Sequence, residues 1–462
     1  MDQPPKTGMA SYLAQLIEQI RSTPFSKEER SITRQHVLDA VASAFIGYRK
    51  TSFQDLTKLC PKVGEGSPWP GSGIARVHPL DGAMLWAFAI NGSVYEDGSR
   101  EGACHPGAVI IPVLIALSDG KDWEEIDRAI VVGYEVMIRL GRLGNPQLTK
   151  KGFHPTALIA PFGAAATVSS ILGYDFSKTQ HALCLAAMGG AGLMASFRSG
   201  ETQPLQVAWS VRNGISAAIM AGAGHLGYQS IIEDSFFPTY LGNQTTTPID
   251  QPLEYEYAFK GCYLKPYPGC RHIHPSIDAL SAILKEHNVI PSQIDKIRAR
   301  TYQVAVETEI HELRTRGDAY FNIPYALSAR IILGRNDWDA FDERHFNNQE
   351  ILELMKKVEV LIDPEVESHY PRERGSLIEI QMIDGSKALT SWVHHALGEP
   401  ENPLPLSVTQ EKFREVASDV LTKKTMDRVE TLLDVSRTID SAKTLFDALS
   451  EEKIDESRRM EE

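Results

Sequence analysis

The sequence predicts a mainly α protein that also contains a smaller region of mixed helices and strands. Helical periodicity runs almost without interruption from Ser11 to about Gly261. Residues 157–227 are dense in Ala and Gly, which let helices approach one another closely. Near residue 290 the pattern changes to the alternation typical of strands. Because the chain has 462 residues, we expect more than one hydrophobic core.

The helical part contains one clear start signal. Ser26 is followed three residues later by Glu29, a spacing typical of a capping box, and then by the apolar series Val37, Leu38, Val41. We therefore predict a helix that begins just after Ser26.

A glycine motif in the helical part suggests a nucleotide site but is better explained as a helix end. Gly222–Gly227 matches the pattern G-x-G-x-x-G. The dinucleotide-binding version follows a strand and opens a helix, whereas this copy closes an Ala-rich helix. We interpret it as C-terminal capping.

The mixed region extends from about 268 to 400 and contains three strand signals. Residues 294–306 alternate like a strand, as do VEVLI from Val358 and SLIEIQMI from Ser376. Asp384-Gly385 predicts a hairpin turn into KALTSWV, and IPYALSARIILG predicts a helix with Pro324 near its start. After the linker ENPLPLS the tail returns to helical period. We predict a helical domain of 1–267 and 401–462 and an α+β domain of 268–400.

Composition excludes several classes of partner. The formal charge is −13 without a dense basic tract, which disfavours nucleic acid and anionic membranes. No apolar run is long enough to span a bilayer, and the first residues lack a signal peptide pattern, so we expect a cytoplasmic enzyme.

The five cysteines predict neither disulfides nor a metal site. They are odd in number and lack C-x-x-C spacing. Cys270, His272 and His274 lie close in sequence, but Arg271 between them repels cations. We therefore expect no metal and no cofactor.

Three blocks place histidine directly before proline in a loop rich in small residues: GACHPGAV from Gly102, GFHPTALIAPFGAAA from Gly152, and YPGCRHIHPSID from Tyr267. Pro suits the first turn of a helix, so the preceding His is displaced from helical geometry to the helix N-terminus. Such an end attracts anions, and His exchanges protons near neutral pH. The combination indicates proton transfer on a negatively charged small molecule.

With these three blocks in this order, and with NGSVYEDG and IPYALSA, the chain resembles the MmgE/PrpD family over nearly its whole length. That family includes 2-methylcitrate dehydratase, cis-aconitate decarboxylase and iminodisuccinate epimerase. The resemblance implies an all-helical domain built from both termini and a smaller α+β lid domain. It also implies a homodimer that works without metal or nucleotide.

The resemblance implies a set of site residues. The family histidines fall on His105, His154 and His274, which we expect to line one cleft, and the family acidic stretch ends here on Glu96-Asp97-Gly98. We choose Asp97 over Glu96 as the acidic catalytic residue, because Asp-Gly matches the end of that stretch.

One position departs from the family. Gln203 stands where the decarboxylases carry a lysine that holds a substrate carboxylate. Arg198 or Arg271 is the candidate replacement, and Arg271 suits a carboxylate through its planar fork. We predict that Gln203, Arg271 and His272 bind substrate.

The chemistry shared by the family moves a proton at a carbon next to a carboxylate. Our first interpretation is dehydration of an alkylcitrate-like hydroxy acid, with Asp97 or His154 as base and His105 or His274 as acid. Decarboxylation of a cis-aconitate-like acid, or epimerisation of a substituted succinate, is the alternative. A catalytically inactive homologue is the third interpretation, since Gln203 replaces the lysine and the acidic stretch is short.

Overall fold

A computed structural model describes residues 8–73, 75–242, 257–436 and 443–450. The chain divides into two compact units, and each is described by itself. The first, the helical unit, takes the described parts of Met1–Tyr263 and Leu406–Glu462. The second, the mixed unit, is Leu264–Pro405. The predicted fold class, mainly α with a smaller region that contains strands, is confirmed.

The helical unit begins with a succession of helices separated by short connections. They are α1 (Met9–Ser22), α2 (Lys27–Gly47), α3 (Thr51–Leu59), α4 (Pro79–Gly92), α5 (Gly107–Leu117), α6 (Trp123–Gly144), α7 (Gln147–Lys150), α8 (Pro155–Ile171), α9 (Phe176–Ala186), α10 (Leu205–Gly222) and α11 (Phe237–Leu241). Two short antiparallel pairs join them: β1 (Lys62–Val63) with β2 (Arg76–Val77), and β3 (Gly98–Ser99) with β4 (Cys262–Tyr263).

Both predictions about helix ends are confirmed. The Ser26 side chain accepts a hydrogen bond from the backbone N–H of Glu29, whose own side chain accepts one from the backbone N–H of Ser26. Helix α2 begins at the next residue, Lys27. At the other signal, α10 ends at Gly222, so a helix and not a strand leads into the glycine motif, as the capping interpretation requires.

Small residues bring α6, α8 and α10 into close contact, as the Ala- and Gly-rich segment predicts. A Cβ on Gly163 of α8 would lie 2.4 Å from Met137 Cγ of α6, and one on Gly214 of α10 would lie 2.4 Å from the carbonyl oxygen of Pro161. These separations are too short for any side chain. The three helices therefore form a tightly packed centre, and nearly every residue of α8 is buried.

The mixed unit pairs one four-stranded sheet with short helices. The strands are β5 (Ile294–Thr301), β6 (Val358–Ile362), β7 (Ser376–Met382) and β8 (Leu389–Val393), in the order β6-β5-β7-β8. Only the β5–β6 pair is parallel among these strands. The helices are α12 (His274–Glu286), α13 (Gln303–Glu307), α14 (Arg316–Ala319), α15 (Ile323–Leu333), α16 (Gln349–Met355) and α17 (Pro364–His369).

The sheet confirms the strand predictions except at one end. The predicted strand over 294–306 stops at Thr301, and residues 303–307 are helical. The neighbouring strand explains the difference: Thr301 pairs with Ile362, where β6 ends, so no partner strand continues beyond it. The hairpin between β7 and β8 is confirmed, with Gly385 at φ 72° in its loop.

The chain then returns to the helical unit through α18 (Leu406–Ala417), α19 (Lys423–Leu432) and α20 (Lys443–Ser450). Helix α18 packs against α2. A buried ion pair joins them, since Lys412 Nζ lies 2.6 Å from Asp39 Oδ1. Among the described residues, no helix is both long enough and apolar enough to cross a membrane.

Candidate functional site

The loop between α4 and α5 carries the first group of predicted site residues. In this loop, Ser99 of β3 pairs with Cys262 on one side and with Cys104 on the other. The second pairing turns the chain back toward α5. Val94 and Ala103 have φ values of 54° and 48°, and they are the non-glycine residues with positive φ in the described chain. Such backbone costs about 1–3 kcal/mol per residue and is concentrated at functional sites.

Asp97 is a buried carboxylate with three donors. Its oxygens accept hydrogen bonds from His36 Nδ1 at 2.7 Å, from Tyr134 Oη at 2.6 Å and from the Gly107 backbone N–H at 2.9 Å. Burial alone would raise the pKa of Asp97, but the bonds from His36, Tyr134 and Gly107 lower it below its usual value. The carboxylate is therefore ionised at neutral pH, and it fixes the loop to the start of α5. Its predicted role as a base stays a prediction.

His105 is anchored through one ring nitrogen. Its Nδ1 lies 2.6 Å from the backbone carbonyl oxygen of Asp97, and a carbonyl can only accept, so Nδ1 carries a proton. The backbone N–H of His105 donates to Thr156 Oγ1 at 3.2 Å. The side chain is 27% exposed, which leaves Nε2 as the ring nitrogen available for proton transfer.

Glu96 links His105 to Gln203 through a chain of buried polar groups. Its carboxylate lies 3.8 Å from His105 Nδ1 and accepts a hydrogen bond from Asn91 Nδ2 at 3.0 Å. The side-chain oxygen Oδ1 of Asn91 in turn accepts a hydrogen bond from Gln203 Nε2 at 3.0 Å. Gln203 is therefore neutral, buried and already engaged with Asn91. Its predicted contact with substrate stays a prediction.

His154 lies at the N-cap of α8, directly before Pro155, as the His-Pro pattern predicts. The ring is buried and packs edge-on against Phe197 with 5.1 Å between ring centres. Its Nδ1 atom has no hydrogen-bond partner among the described residues. Burial, and then the nearby charge of His105, lowers the pKa of His154 to about 3, so the imidazole is neutral at pH 7.

In the mixed unit, Arg271 is buried and bonded on several sides. Its Nε donates to Glu399 Oε1 at 2.8 Å, and its terminal nitrogens donate to the carbonyls of Ala396 and Leu397 at 3.0–3.2 Å. Nη1 also donates to His274 Nδ1 at 2.9 Å. These bonds occupy the guanidinium nitrogens that the sequence assigns to a substrate carboxylate. Arg271 would have to break some of them to bind that carboxylate as predicted.

His274 differs from the other two His-Pro histidines in its backbone. The sequence predicts that it lies outside the helix, but it has helical φ and ψ of −61° and −47° and is the first residue of α12. A 3₁₀ turn over Arg271–Ile273 leads directly into the helix, which leaves no extended residue before Pro275. Because Nδ1 accepts from Arg271, the neutral ring carries its proton on Nε2.

His272 points to a different group of side chains. Its Nδ1 lies 2.5 Å from the Oη atom of Tyr302, and Tyr302 stacks on Tyr370 with 4.8 Å between ring centres. Burial, followed by the charges of Arg374 and Arg271, lowers the pKa of His272 to about 3. The ring is neutral at pH 7, and its contact with substrate stays a prediction.

The structure thus groups the predicted residues within each unit. The helical unit brings Asp97, His105 and His154 together, whereas Arg271 and His274 contact each other in the mixed unit. The convergence of all three His-Pro histidines stays a prediction. The side chain of Arg198 lies outside the described residues.

Sequence reasoning missed two residues of these groups. His36 holds Asp97, and its signal is a polar pair, His36 and Asp39, in the mostly apolar stretch HVLDAVASAF of α2. Lys265 is a fully buried lysine whose charge acts on Cys270, and it comes two residues before the third His-Pro block. A lysine next to a Pro-rich motif in an acidic chain is the signal that could have indicated it.

Comparison with known proteins agrees with the resemblance seen in the motifs. The model of the MmgE/PrpD N-terminal domain matches residues 11–247, and that of the MmgE/PrpD C-terminal domain matches residues 267–437. The chain belongs to the MmgE/PrpD family. Both matches together cover every predicted site residue of this MmgE/PrpD protein.

Its curated relatives include cis-aconitate decarboxylases. The human enzyme of that name is 24% identical over 428 residues, covering 88% of this chain and 87% of the relative. The Aspergillus terreus enzyme is 22% identical over 469 residues, covering 93% of each chain. These relatives support a lyase-type enzyme for this MmgE/PrpD protein.

Proposed function

We propose that the chain is a lyase that moves a proton at a carbon next to a carboxylate of a small polycarboxylate. The first candidate reaction is dehydration of an alkylcitrate-like hydroxy acid. The observation that carries the proposal is the bond from His105 Nδ1 to the Asp97 carbonyl, which leaves Nε2 as a proton carrier at a partly exposed position. Family membership supports the same class of chemistry.

In dehydration, a C–H bond and a C–O bond of the substrate break, a C=C bond forms, and water leaves. One group takes the proton from carbon, and another gives a proton to the departing hydroxyl. We assign His105 to one of these transfers, and the Glu96 carboxylate at 3.8 Å stabilises the imidazolium while it exists. Each such transfer contributes about 10²–10⁴-fold to the rate.

The neighbouring groups then act on the substrate or on His105. Asp97, with all three donors in place, is a positioning residue that holds the His105 loop. The Nδ1 of His154 lies beside this loop and has no hydrogen-bond partner among the described residues. A substrate hydroxyl is a suitable donor for it when the ring turns to uncover this buried atom. Neutral His154 therefore serves as a hydrogen-bonding group in this proposal.

Decarboxylation of a cis-aconitate-like acid is the second candidate, and the names of the relatives favour it. In that reaction a C–C bond breaks, carbon dioxide leaves, and the carbon that keeps the electron pair receives a proton. His105 supplies this proton from Nε2 when its ring is an imidazolium, with protons on both nitrogens. Gln203 is the observation against it, because a neutral buried amide replaces the lysine that the family resemblance assigns to a substrate carboxylate.

A substrate panel decides between these reactions. The protein is incubated with 2-methylcitrate, other alkylcitrates, cis-aconitate and substituted succinates, and products are followed by NMR and by carbon dioxide release. We expect loss of water from an alkylcitrate. Carbon dioxide from cis-aconitate would establish the second candidate, and no reaction from any member would favour an inactive homologue.

The partner that we propose is a second copy of the chain, as the family resemblance implies. Sedimentation of the purified protein tests this directly. We expect a dimer of about twice the 51.2 kDa chain mass, and a single monomeric species would contradict it.

A further inference from the structure

At the end of the β7–β8 hairpin, His369, Glu373 and His394 form a group of side chains that the proposed function does not use. One potential ligand atom from each lies within 4.8 Å of the others, and the rest of the described chain has no similar group of three. His369 ends α17, Glu373 precedes β7, and His394 follows β8. Because Ser376 pairs with Val393, the hairpin itself brings Glu373 and His394 to the same end.

The two imidazoles converge on one carboxylate oxygen. His394 Nδ1 lies 2.8 Å from Glu373 Oε2, and His369 Nδ1 lies 3.2 Å from the same atom. Ligand atoms around tetrahedral Zn²⁺ are separated by about 3.3 Å, given metal–ligand distances of about 2.0–2.1 Å. The two observed separations are within about 0.5 Å of that tetrahedral value, and all three ligand atoms lie within 4.8 Å of one another.

Aromatic packing holds both rings in place. The His394 ring stacks on Trp392 at 4.4 Å and 19°, and His369 meets the same indole edge-on at 6.1 Å. A Cβ on Gly375 would lie 2.7 Å from the Val393 carbonyl, so this glycine lets the backbone pass close to His394. The ligands are thus restrained before a metal arrives, which reduces the entropy lost on binding.

The charge of the group also suits a cation. Glu373 supplies a carboxylate, and the ring nitrogens of His369 and His394 that face it give up their protons when they bind a metal ion. Two neutral imidazoles and one carboxylate are ligands that Zn²⁺ accepts, and three protein ligands leave a fourth position for water. The side chains are 27–47% exposed, so an ion has a direct path from solvent.

We propose that His369, Glu373 and His394 form a binding site for a divalent transition metal ion, with Zn²⁺ as the best fit. An ion there links the end of α17 to both strands of the β7–β8 hairpin. The sequence favours no metal and offers a candidate metal site only near Cys270. This site uses none of the residues assigned to proton transfer.

The test is a metal titration of untagged, chelator-stripped protein. Co²⁺ is added first and followed by visible absorption, and Zn²⁺ is then used to displace it, with isothermal titration for stoichiometry. We expect one ion per chain, tetrahedral Co²⁺ bands without thiolate charge-transfer absorption, and a higher melting temperature with Zn²⁺. His369→Ala and His394→Ala should each lower the affinity at least about tenfold, since even changes to residues that only support metal ligands cost about 10–100-fold.

His311→Ala is the matched control, because it removes a histidine that is exposed and also faces a carboxylate, that of Glu309. It should bind Zn²⁺ like the unaltered protein. Circular dichroism and melting without metal check that each variant is folded. Absence of a stoichiometric site in the unaltered protein, thiolate absorption with Co²⁺, or full affinity in both histidine variants would overturn the proposal.

Discussion

The Nδ1 atom of His105 donates a hydrogen bond to the backbone carbonyl of Asp97, while the Asp97 carboxylate is held by His36, Tyr134 and the start of α5. One residue thus fixes the histidine through its backbone and fixes the loop through its side chain. The consequence for catalysis is a His105 ring of defined tautomer with Nε2 left for proton transfer.

Asp97→Asn should weaken both folding and turnover. The amide keeps the shape but loses the charge that receives three hydrogen bonds, and hydrogen bonds to charged groups are worth about 1.5–3 kcal/mol each. We expect the free energy of unfolding in urea to fall by at least the value of one such bond, about 1.5–3 kcal/mol. We expect kcat to fall as well.

Tyr134→Phe is the smaller change at the same carboxylate, because it removes only one of these bonds. It should lower the free energy of unfolding by less than Asp97→Asn does and should retain most of the activity. Full activity and unchanged stability in Asp97→Asn would show that the carboxylate does not position the loop.

Stability should decrease as the pH falls from 7.5 to 5. Burial lowers the pKa of both His154 and His272 to about 3 in the folded protein, against about 6.5 in the unfolded chain. Below pH 6.5 the unfolded chain therefore takes up protons that the folded protein refuses, which favours unfolding. For His154 alone the loss at pH 5 is about 2 kcal/mol.

His154→Asn tests this pH dependence through the slope of unfolding free energy against pH, measured in urea at several pH values. The slope between pH 7.5 and 5 should become shallower, whatever the absolute stability of the variant. Replacing the exposed His225 by Asn should leave the slope unchanged. An equal slope in His154→Asn would mean that folding does not lower the pKa of this imidazole.

Arg271→Met should destabilise the protein more than it weakens substrate binding. Glu399 would keep a buried charge without the guanidinium that now faces it, and breaking such a pair costs about 3–5 kcal/mol. The double variant Arg271→Met/Glu399→Gln should recover part of this loss in urea unfolding. A stable Arg271→Met variant with a strongly raised KM would instead establish the carboxylate clamp that the sequence predicts.

Gln203→Lys should shift preference toward a tricarboxylate such as cis-aconitate. The lysine restores the cation that the family resemblance places there. Glu96 is the nearby counter-charge, because hydrogen bonds link position 203 to Asn91 and Asn91 to Glu96. We expect higher kcat/KM for cis-aconitate relative to an alkylcitrate, measured by competition. Gln203→Met, which removes the amide without adding charge, should show no such gain.

Local features of the fold could be predicted, because neighbouring residues determine them. The Ser26–Glu29 capping box and the N-cap position of His154 at the start of α8 follow from short-range geometry. The end of β5 at Thr301 could not, since it depends on where β6 ends about 60 residues later.

The same distinction applies to the candidate site. The sequence indicated Asp97 and His105, which are eight residues apart and joined by a hydrogen bond from the His105 ring to the Asp97 backbone carbonyl. It did not indicate the bond from His36 to Asp97 or from Arg271 to Glu399, which join residues 61 and 128 positions apart. Such pairs are set by tertiary packing, and they decide which side chains remain available to a substrate.

The most direct test of the account compares the unaltered protein with His105→Gln in deuterated water. Both are incubated with the substrate panel, and NMR follows deuterium at carbons next to carboxylates together with the loss of water or carbon dioxide. His287→Gln, at an exposed histidine, is the control. We predict turnover of a polycarboxylate by the unaltered protein and the control, and a rate about 10²–10⁴-fold lower in a folded His105→Gln variant. Equal rates in His105→Gln would contradict the assignment of proton transfer to this histidine.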